Sequence, residues 1–300
     1  MTPSREKRFG GPRPTVVLAG ALAVLLVAGC GSGPSTYQYH WPYFVDSIIH
    51  PDNQILFGLW LTVSISVVSQ IIGVVLGVFG ALGRMSKFAP FRLLANFYIW
   101  FFRGTPLLVQ ITFFFFGLSV AHIYMWPPIN ILGFSIEGEI QAGIFALGVN
   151  EGAYMSEIVR AGIISIDPGQ LEAAKSLGMT FGQAMRRIVL PQAARVIVPP
   201  LGNEFNNMLK TTSLLVIISV PELYTIFSRK QGQTFAPFEF FLAAAVWYLM
   251  LTTIWSIVQA WIERRLAKGT AGSTTKGPSM RQRLFGGGES IEPSIVSGGR

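Results

Sequence analysis

Charge is what this chain has least of. Asp, Glu, Lys and Arg make up 13% of its 300 residues, about half the share usual in a soluble domain, and that excludes an ordinary soluble enzyme. Cysteine occurs once, as Cys30, so no internal disulfide can form and a disulfide scaffold is excluded. No G-x-x-x-x-G-K-[ST] run is present to cradle nucleotide phosphates, and no H-E-x-x-H is present to hold a metal. The three histidines, His40, His50 and His122, lie outside the apolar blocks, so metal catalysis lacks ligands within them. No catalytic residue, metal site or bound cofactor is assigned. No fixed period marks an internal repeat.

Apolar residues fill the space. They form 51% of the chain, at a mean hydropathy of +0.48, and come in long blocks rather than at amphipathic spacing. About 20 such residues cross a bilayer as a helix. Five stretches reach that length, near 56–82, 91–120, 140–163, 196–220 and 240–262, while 16–29 falls short. The fold class expected is all-α, a polytopic membrane protein with five core transmembrane helices and one possible N-terminal helix. The second stretch is long for a span. Its first turns, with Arg92 and Asn96, are expected along the interface before the chain dives at Gly104 and Pro106.

The net charge of +8 does not indicate nucleic acid, because the basic residues flank apolar blocks instead of forming one patch. Lys and Arg in short loops set orientation. With the N-terminus cytoplasmic, 19 of the 23 basic residues fall inside, and only Arg229 and Lys230 fall outside. The aromatic cluster Tyr37, Tyr39, Trp41 and Tyr43 then reads as an interface belt on the outer side.

Residues 1–31 have two readings. Basic residues, a short apolar run and Val27-Ala28-Gly29-Cys30 suit a lipoprotein signal with Cys30 lipidated after cleavage, or an uncleaved extra span with a cysteine at its outer end. Both put residue 31 outside. Residues 32–55 follow as an extracellular loop, 56–265 as the transmembrane domain, and 266–300, rich in Gly, Ser, Thr and Pro, as a disordered cytoplasmic tail.

The cytoplasmic loop 164–195 is longer than a connection requires. Asp167-Pro168-Gly169-Gln170 is a capping-box pattern with proline at the first helical position. It predicts a helix from Pro168 that stops at Gly178 in a left-handed cap. Thr180-Phe181-Gly182-Gln183 repeats the box, and the second helix is expected to end at Pro191. Two capping boxes imply a stiff helix of about 15 Å held at the surface.

Glu172-Ala173-Ala174, then three intervening residues and Gly178, then nine more and Ile188-x-Leu190-Pro191, resembles the EAA signature of permease subunits of bacterial ABC importers. The runs 102–110 (FRGTPLLVQ), Gly152-Ala153-Tyr154 with Glu157-Ile158-Val159-Arg160, Gly202-Asn203-Glu204-Phe205 with 210–213, and Pro221-Glu222-Leu223 are similar to its polar amino acid branch. The resemblance covers residues 56–265. It implies the type I ABC importer permease fold, in the bacterial cytoplasmic membrane, without ATPase activity of its own. It also implies two separate ATP-binding subunits using ATP-Mg, a second permease subunit (identical or a paralogue), an extracellular or periplasmic binding protein, and a polar amino acid as substrate. The short helix would be the coupling helix, with Glu172, Ala173, Ala174, Lys175, Gly178, Leu190 and Pro191 serving the contact with the ATP-binding subunit. There Glu172 meets basic residues, the two alanines permit close approach, and Gly178 turns the chain away.

An ionisable group at mid-bilayer costs about 3 kcal/mol or more, so each needs a reason. Arg103, Glu151, Tyr154, Asn203, Glu204, Asn207 and Lys210 fall on three helices as a candidate polar path, in which Glu and Arg complement an amino acid's ammonium and carboxylate. Structural roles compete: Glu157 and Arg160 suit a tether for the loop, Lys210 can snorkel or pair with Glu204, and Arg103 sits close to the inner interface. A secondary transporter would have more spans in paired halves and no use for a stiff cytoplasmic helix. An intramembrane metalloprotease would need metal ligands within the spans, and all three histidines lie outside them.

Overall fold

The structure is a computed structural model and describes residues 37–131 and 133–267. The apolar run 16–29, Cys30 and the tail beyond residue 267 lie outside the described residues. Nine helices and one small hairpin are present among them. In chain order they are α1 (Trp41–Ile49), α2 (Asn53–Met85), α3 (Ala89–Gly104), α4 (Leu107–Val120), β1 (Ile129–Ile131) and β2 (Phe134–Ile136), α5 (Gly138–Ile164), α6 (Pro168–Ser176), α7 (Phe181–Ile218) and α8 (Leu223–Thr234), and α9 (Pro237–Ala267).

Helix α2 reads inside out relative to a soluble helix. Its buried face carries Thr62, Ser66, Ser69, Gln70, Gly73, Gly77 and Gly80, whereas Trp60, Ile71, Val75 and Phe79 are exposed. Small residues on the buried face let backbones approach closely where lipid, not water, covers the outside. The partner in that approach is α5, the central helix. A Cβ on Gly73 would stand 2.5 Å from Glu151 Cγ, and one on Gly77 would stand 2.3 Å from Met155 Cβ.

Two helices, Asn53–Met85 and Pro237–Leu266, are each long and apolar enough to cross a membrane. Two bent pairs pass the same test together: α3 with α4, turning 105°, and α7 with α8, turning 49°. Helix α5 has the length but not the apolarity, since its buried face carries Asn150, Glu151 and Ser156. Enclosure by α2, α3, α4 and α7 removes the need for an apolar surface. The dive expected at Gly104 and Pro106 is the 105° turn.

Pro106 breaks the helix by lacking the N–H that would reach Phe102. Gln110 replaces it, donating from Nε2 to the carbonyls of Phe102 (2.9 Å) and Thr105 (3.1 Å). Asn150 of α5 donates to the same Phe102 carbonyl at 3.1 Å and to Gln110 Oε1 at 3.0 Å. The break is thereby fastened to the central helix.

Glu222, fully buried, joins three helices. It caps α8 by accepting from the Tyr224 and Thr225 amides at 3.0 and 2.7 Å, and it accepts from Tyr248 of α9 at 2.6 Å. Thr62 of α2 accepts from the Leu223 amide at 3.1 Å. The apolar core lies in two clusters, one around Leu61, Ile65, Ile111, Leu147 and Leu215, the other around Ile55, Leu223, Phe227 and Phe240.

Three expectations need correction. The segment 32–55 is not simply a loop, because α1 packs on α9: the Tyr37 hydroxyl and the His40 amide donate to Glu239, and Trp247 Nε1 donates to the Ser47 carbonyl at 3.0 Å. Pro191 does not end a helix. A π-turn over Met185–Val189 precedes it, and the helix resumes at Leu190 with the proline in its first turn, where no N–H is required. Asp167 caps α6 through the Gly169 amide at 2.8 Å, one residue nearer than a capping box; Thr180 and Gln183 complete the true reciprocal box.

Candidate functional site

Helix α6 stands on the π-turn of α7, and its two signature alanines divide between the faces. Ala174 is buried, whereas Glu172, Ala173, Lys175 and Leu177 are exposed. Only Ala173 of the pair is therefore open to a partner; Ala174 seats the helix on its own chain. Gly178 has φ of +75°, and its amide reaches the Lys175 carbonyl at 2.9 Å while the Met179 amide reaches Ala174 at 3.1 Å. This is a left-handed stop of the kind expected. Leu190 and Pro191 are exposed at the base of the same unit.

Toward the centre of the bundle, α4, α5 and α7 enclose a cleft of about 340 Å³. Leu107, Leu147 and Met208 form its apolar walls, and Asn150, Glu151, Tyr154, Glu204, Asn207 and Thr211 its polar ones. Glu151 is 6% exposed and accepts from Gln70 Nε2 at 3.0 Å. Gly73 leaves room for that carboxylate to lie against α2. Four of the residues expected in a polar path, Glu151, Tyr154, Glu204 and Asn207, thus meet in one place.

The other three do not join them. Asn203 turns toward α9 and accepts from Gln259 Nε2 at 3.0 Å, the same amide that serves the Pro199 carbonyl at 3.2 Å. Lys210 is exposed and does not line the cleft. Arg103 lies beyond Tyr154, with its guanidinium 5.3 Å from the ring centroid and 3.4 Å from Glu157. Among the described residues, no basic side chain lines the cleft, so its charge comes from two carboxylates. Gln70, Asn150 and Gln110, which fix the cleft's walls, were not among the expected site residues. A polar residue adjoining Glu151 within an apolar run was the available signal for Asn150.

The chain matches the family of binding-protein-dependent transport system inner membrane components over residues 73–268. The chain belongs to that family. It is 37% identical to the arginine transport system permease protein ArgU of Corynebacterium glutamicum over 270 residues, covering 86% of this chain and 82% of the relative. The arginine transport system permease protein ArtQ of Bacillus subtilis is also 37% identical, over 71% of this chain and 92% of its own length. A solved amino acid ABC transporter with histidines superposes with a TM-score of 0.66 at 37% identity, covering 76% of this chain and all of that one. The protein is therefore an ABC importer permease of the polar amino acid branch, a multi-pass subunit of the inner membrane. It works in complexes with a substrate-binding protein, and ATP hydrolysis resides in separate subunits. No cofactor is expected on a permease chain, and among the described residues no cluster of His, Cys, Asp and Glu could hold a metal.

Proposed function

We propose that this permease carries a cationic amino acid, with Glu151 and Glu204 receiving the positive charge. The observation behind this reading is the pair of carboxylates facing one cleft that no basic side chain lines. A cation entering a low-dielectric cleft needs opposite charge close by, and a carboxylate within a few ångströms supplies it. Asn207, Asn150 and Thr211 offer neutral hydrogen bonds for the α-carboxylate and backbone amine, and Tyr154 offers a ring face on which a guanidinium or ammonium can rest. The similarity to two arginine transport permeases supports a side chain of that charge.

Helix α6 is the coupling helix in this proposal, with the loop 164–195 and the chain beyond α9 on the cytoplasmic side. Glu172, Ala173 and Lys175 form its outward face toward an ATP-binding subunit, with Leu190 and Pro191 at its base. Two such subunits serve a pair of permeases, this chain with a second copy or a paralogue. ATP binding closes the nucleotide subunits, draws the coupling helices together and opens the cleft outward; hydrolysis resets it. A rigid-body step of this kind needs a stiff lever, and the caps at Asp167, Gly178 and Thr180 provide it.

Uptake of labelled arginine and of labelled glutamine by proteoliposomes holding the full transporter tests the substrate. Glu204→Gln is expected to lower arginine uptake by about tenfold or more, in line with loss of a charge-assisted hydrogen bond, while the complex still assembles. Equal arginine uptake by wild type and variant removes Glu204 from the path.

A further inference from the structure

Behind Tyr154 a second cavity opens, of about 620 Å³, at the end of α2 and against α3 and α5. Its chemistry is opposite to that of the cleft. Glu157 is the single carboxylate among the described lining residues, and three guanidinium groups share it. Arg84 and Arg103 meet its Oε1, and Arg160 grips Oε2 from Nε and Nη2 at 3.0 and 2.9 Å. Arg160 is not part of the lining, so the cavity wall itself sets two positive charges, Arg84 and Arg103, against one negative. The guanidinium groups also hold unspent donors: each carries several N–H groups in a fixed fork, and Arg103 touches only Glu157 and the Tyr154 face among the described residues.

The doorway of this cavity is apolar and outward. Trp100 lines it and is 69% exposed, and Phe97, Phe101, Leu93 and Leu94 are exposed on the same helix. A fork of guanidinium donors beneath an exposed tryptophan and a row of apolar side chains matches a molecule with an anionic head and hydrocarbon tails. Arg binds phosphate oxygens through parallel N–H bonds, basic pockets between membrane helices take anionic headgroups, and tryptophan favours the interface between the two zones.

We propose that the Arg84–Arg103 cavity binds the phosphate headgroup of an anionic phospholipid, whose acyl chains lie along α3 over Trp100. The site is separate from the cleft, shares only Tyr154 with it, and does not depend on which amino acid is carried. Bound lipid would offset the surplus charge where α2, α3 and α5 meet.

Native mass spectrometry of the detergent-purified transporter, complete with its ATP-binding subunits, can measure this by titration with phosphatidylglycerol, phosphatidylcholine and inorganic phosphate. Phosphatidylglycerol is expected to bind about tenfold or more tightly than either of the others. Arg84→Gln should weaken it about tenfold, the effect of losing one hydrogen bond to a charged group, and Arg84→Lys, which keeps the charge but not the fork, should restore only part of the affinity. Trp100→Ala, at an exposed position, keeps the test open should an arginine variant fail to assemble; it should weaken phosphatidylglycerol severalfold and leave phosphate unchanged. Equal binding of the two lipids, or unchanged binding in Arg84→Gln and Trp100→Ala, overturns the proposal. Inorganic phosphate binding as tightly as phosphatidylglycerol overturns it too, by making the cavity a site for free anions.

Discussion

The side-chain amide of Gln110 lies 2.9 Å from the Phe102 carbonyl, the acceptor that Pro106 cannot serve. A proline in a span normally leaves that carbonyl to neighbouring helices; here the residue four positions after the proline turns back to take it. Asn150 then adds a second donor and locks Gln110 in place, so the bend and the floor of the cleft are one hydrogen-bonded unit. Gln110→Leu should destabilise the purified transporter by about 1–3 kcal/mol, since buried acceptors are left short of donors. Gln110→Glu should be at least as costly, because an ionised carboxylate cannot donate. Thermal unfolding of both variants, of Asn150→Leu and of the Gln110→Leu/Asn150→Leu double variant checks this, and additive effects in the double variant would rule out a shared network.

Gly178 makes a second prediction. Its φ of +75° is strained for a side chain bearing Cβ, yet nothing lies within 4 Å of where that Cβ would stand. The cost is thus confined to the backbone, on the order of 1 kcal/mol, and falls on the cap that makes α6 stiff. Gly178→Asp should insert and assemble normally and lose uptake. Gly178→Asn, uncharged and tolerant of left-handed backbone, should keep a substantial part of it. Uptake by Gly178→Asp at the wild-type rate would argue against α6 as the lever.

These two positions also mark what was legible in the sequence. The cap at Gly178 and the start at Pro168 could be read from a few adjacent residues, because caps are local chemistry. The extent of α2 and α9 followed from apolar length alone. Continuation of α7 through Pro191 was not readable, since it depends on a π-turn that sequence does not mark. Helix α1 is not legible in the sequence, because nine residues give too little periodicity to separate a helix from an aromatic belt. Glu151, Tyr154, Glu204 and Asn207 were reachable by counting turns and asking why a charge is tolerated in an apolar run. The positions of Arg103 and Asn203 were not, because Glu157 and Gln259 claim them through tertiary contacts between distant helices.

Asp52 and Lys230 make the last prediction, on the face where α2 begins and α8 ends. Asp52 caps α2 by accepting from the Ile55 amide at 3.0 Å and also pairs with Lys230. Burial raises its pKa, but the hydrogen bonds from Lys230 and the Ile55 amide outweigh that and hold the carboxyl below its ordinary value. A carboxylate depressed in the folded state adds stability above its unfolded pKa, about 4, and that contribution is lost as pH falls through the lower folded value. Half-exposure limits the ion pair to less than about 1 kcal/mol. Asn caps a helix nearly as well as Asp, so Asp52→Asn removes the charge and keeps the cap, whereas Asp52→Ala forfeits both and should cost about 1 kcal/mol more. Unfolding midpoints measured from pH 7 downward should therefore show a small constant gap between wild type and Asp52→Asn that closes below about pH 4. A gap unchanged down to pH 3 would mean that the charge of Asp52 is not what joins α2 to α8.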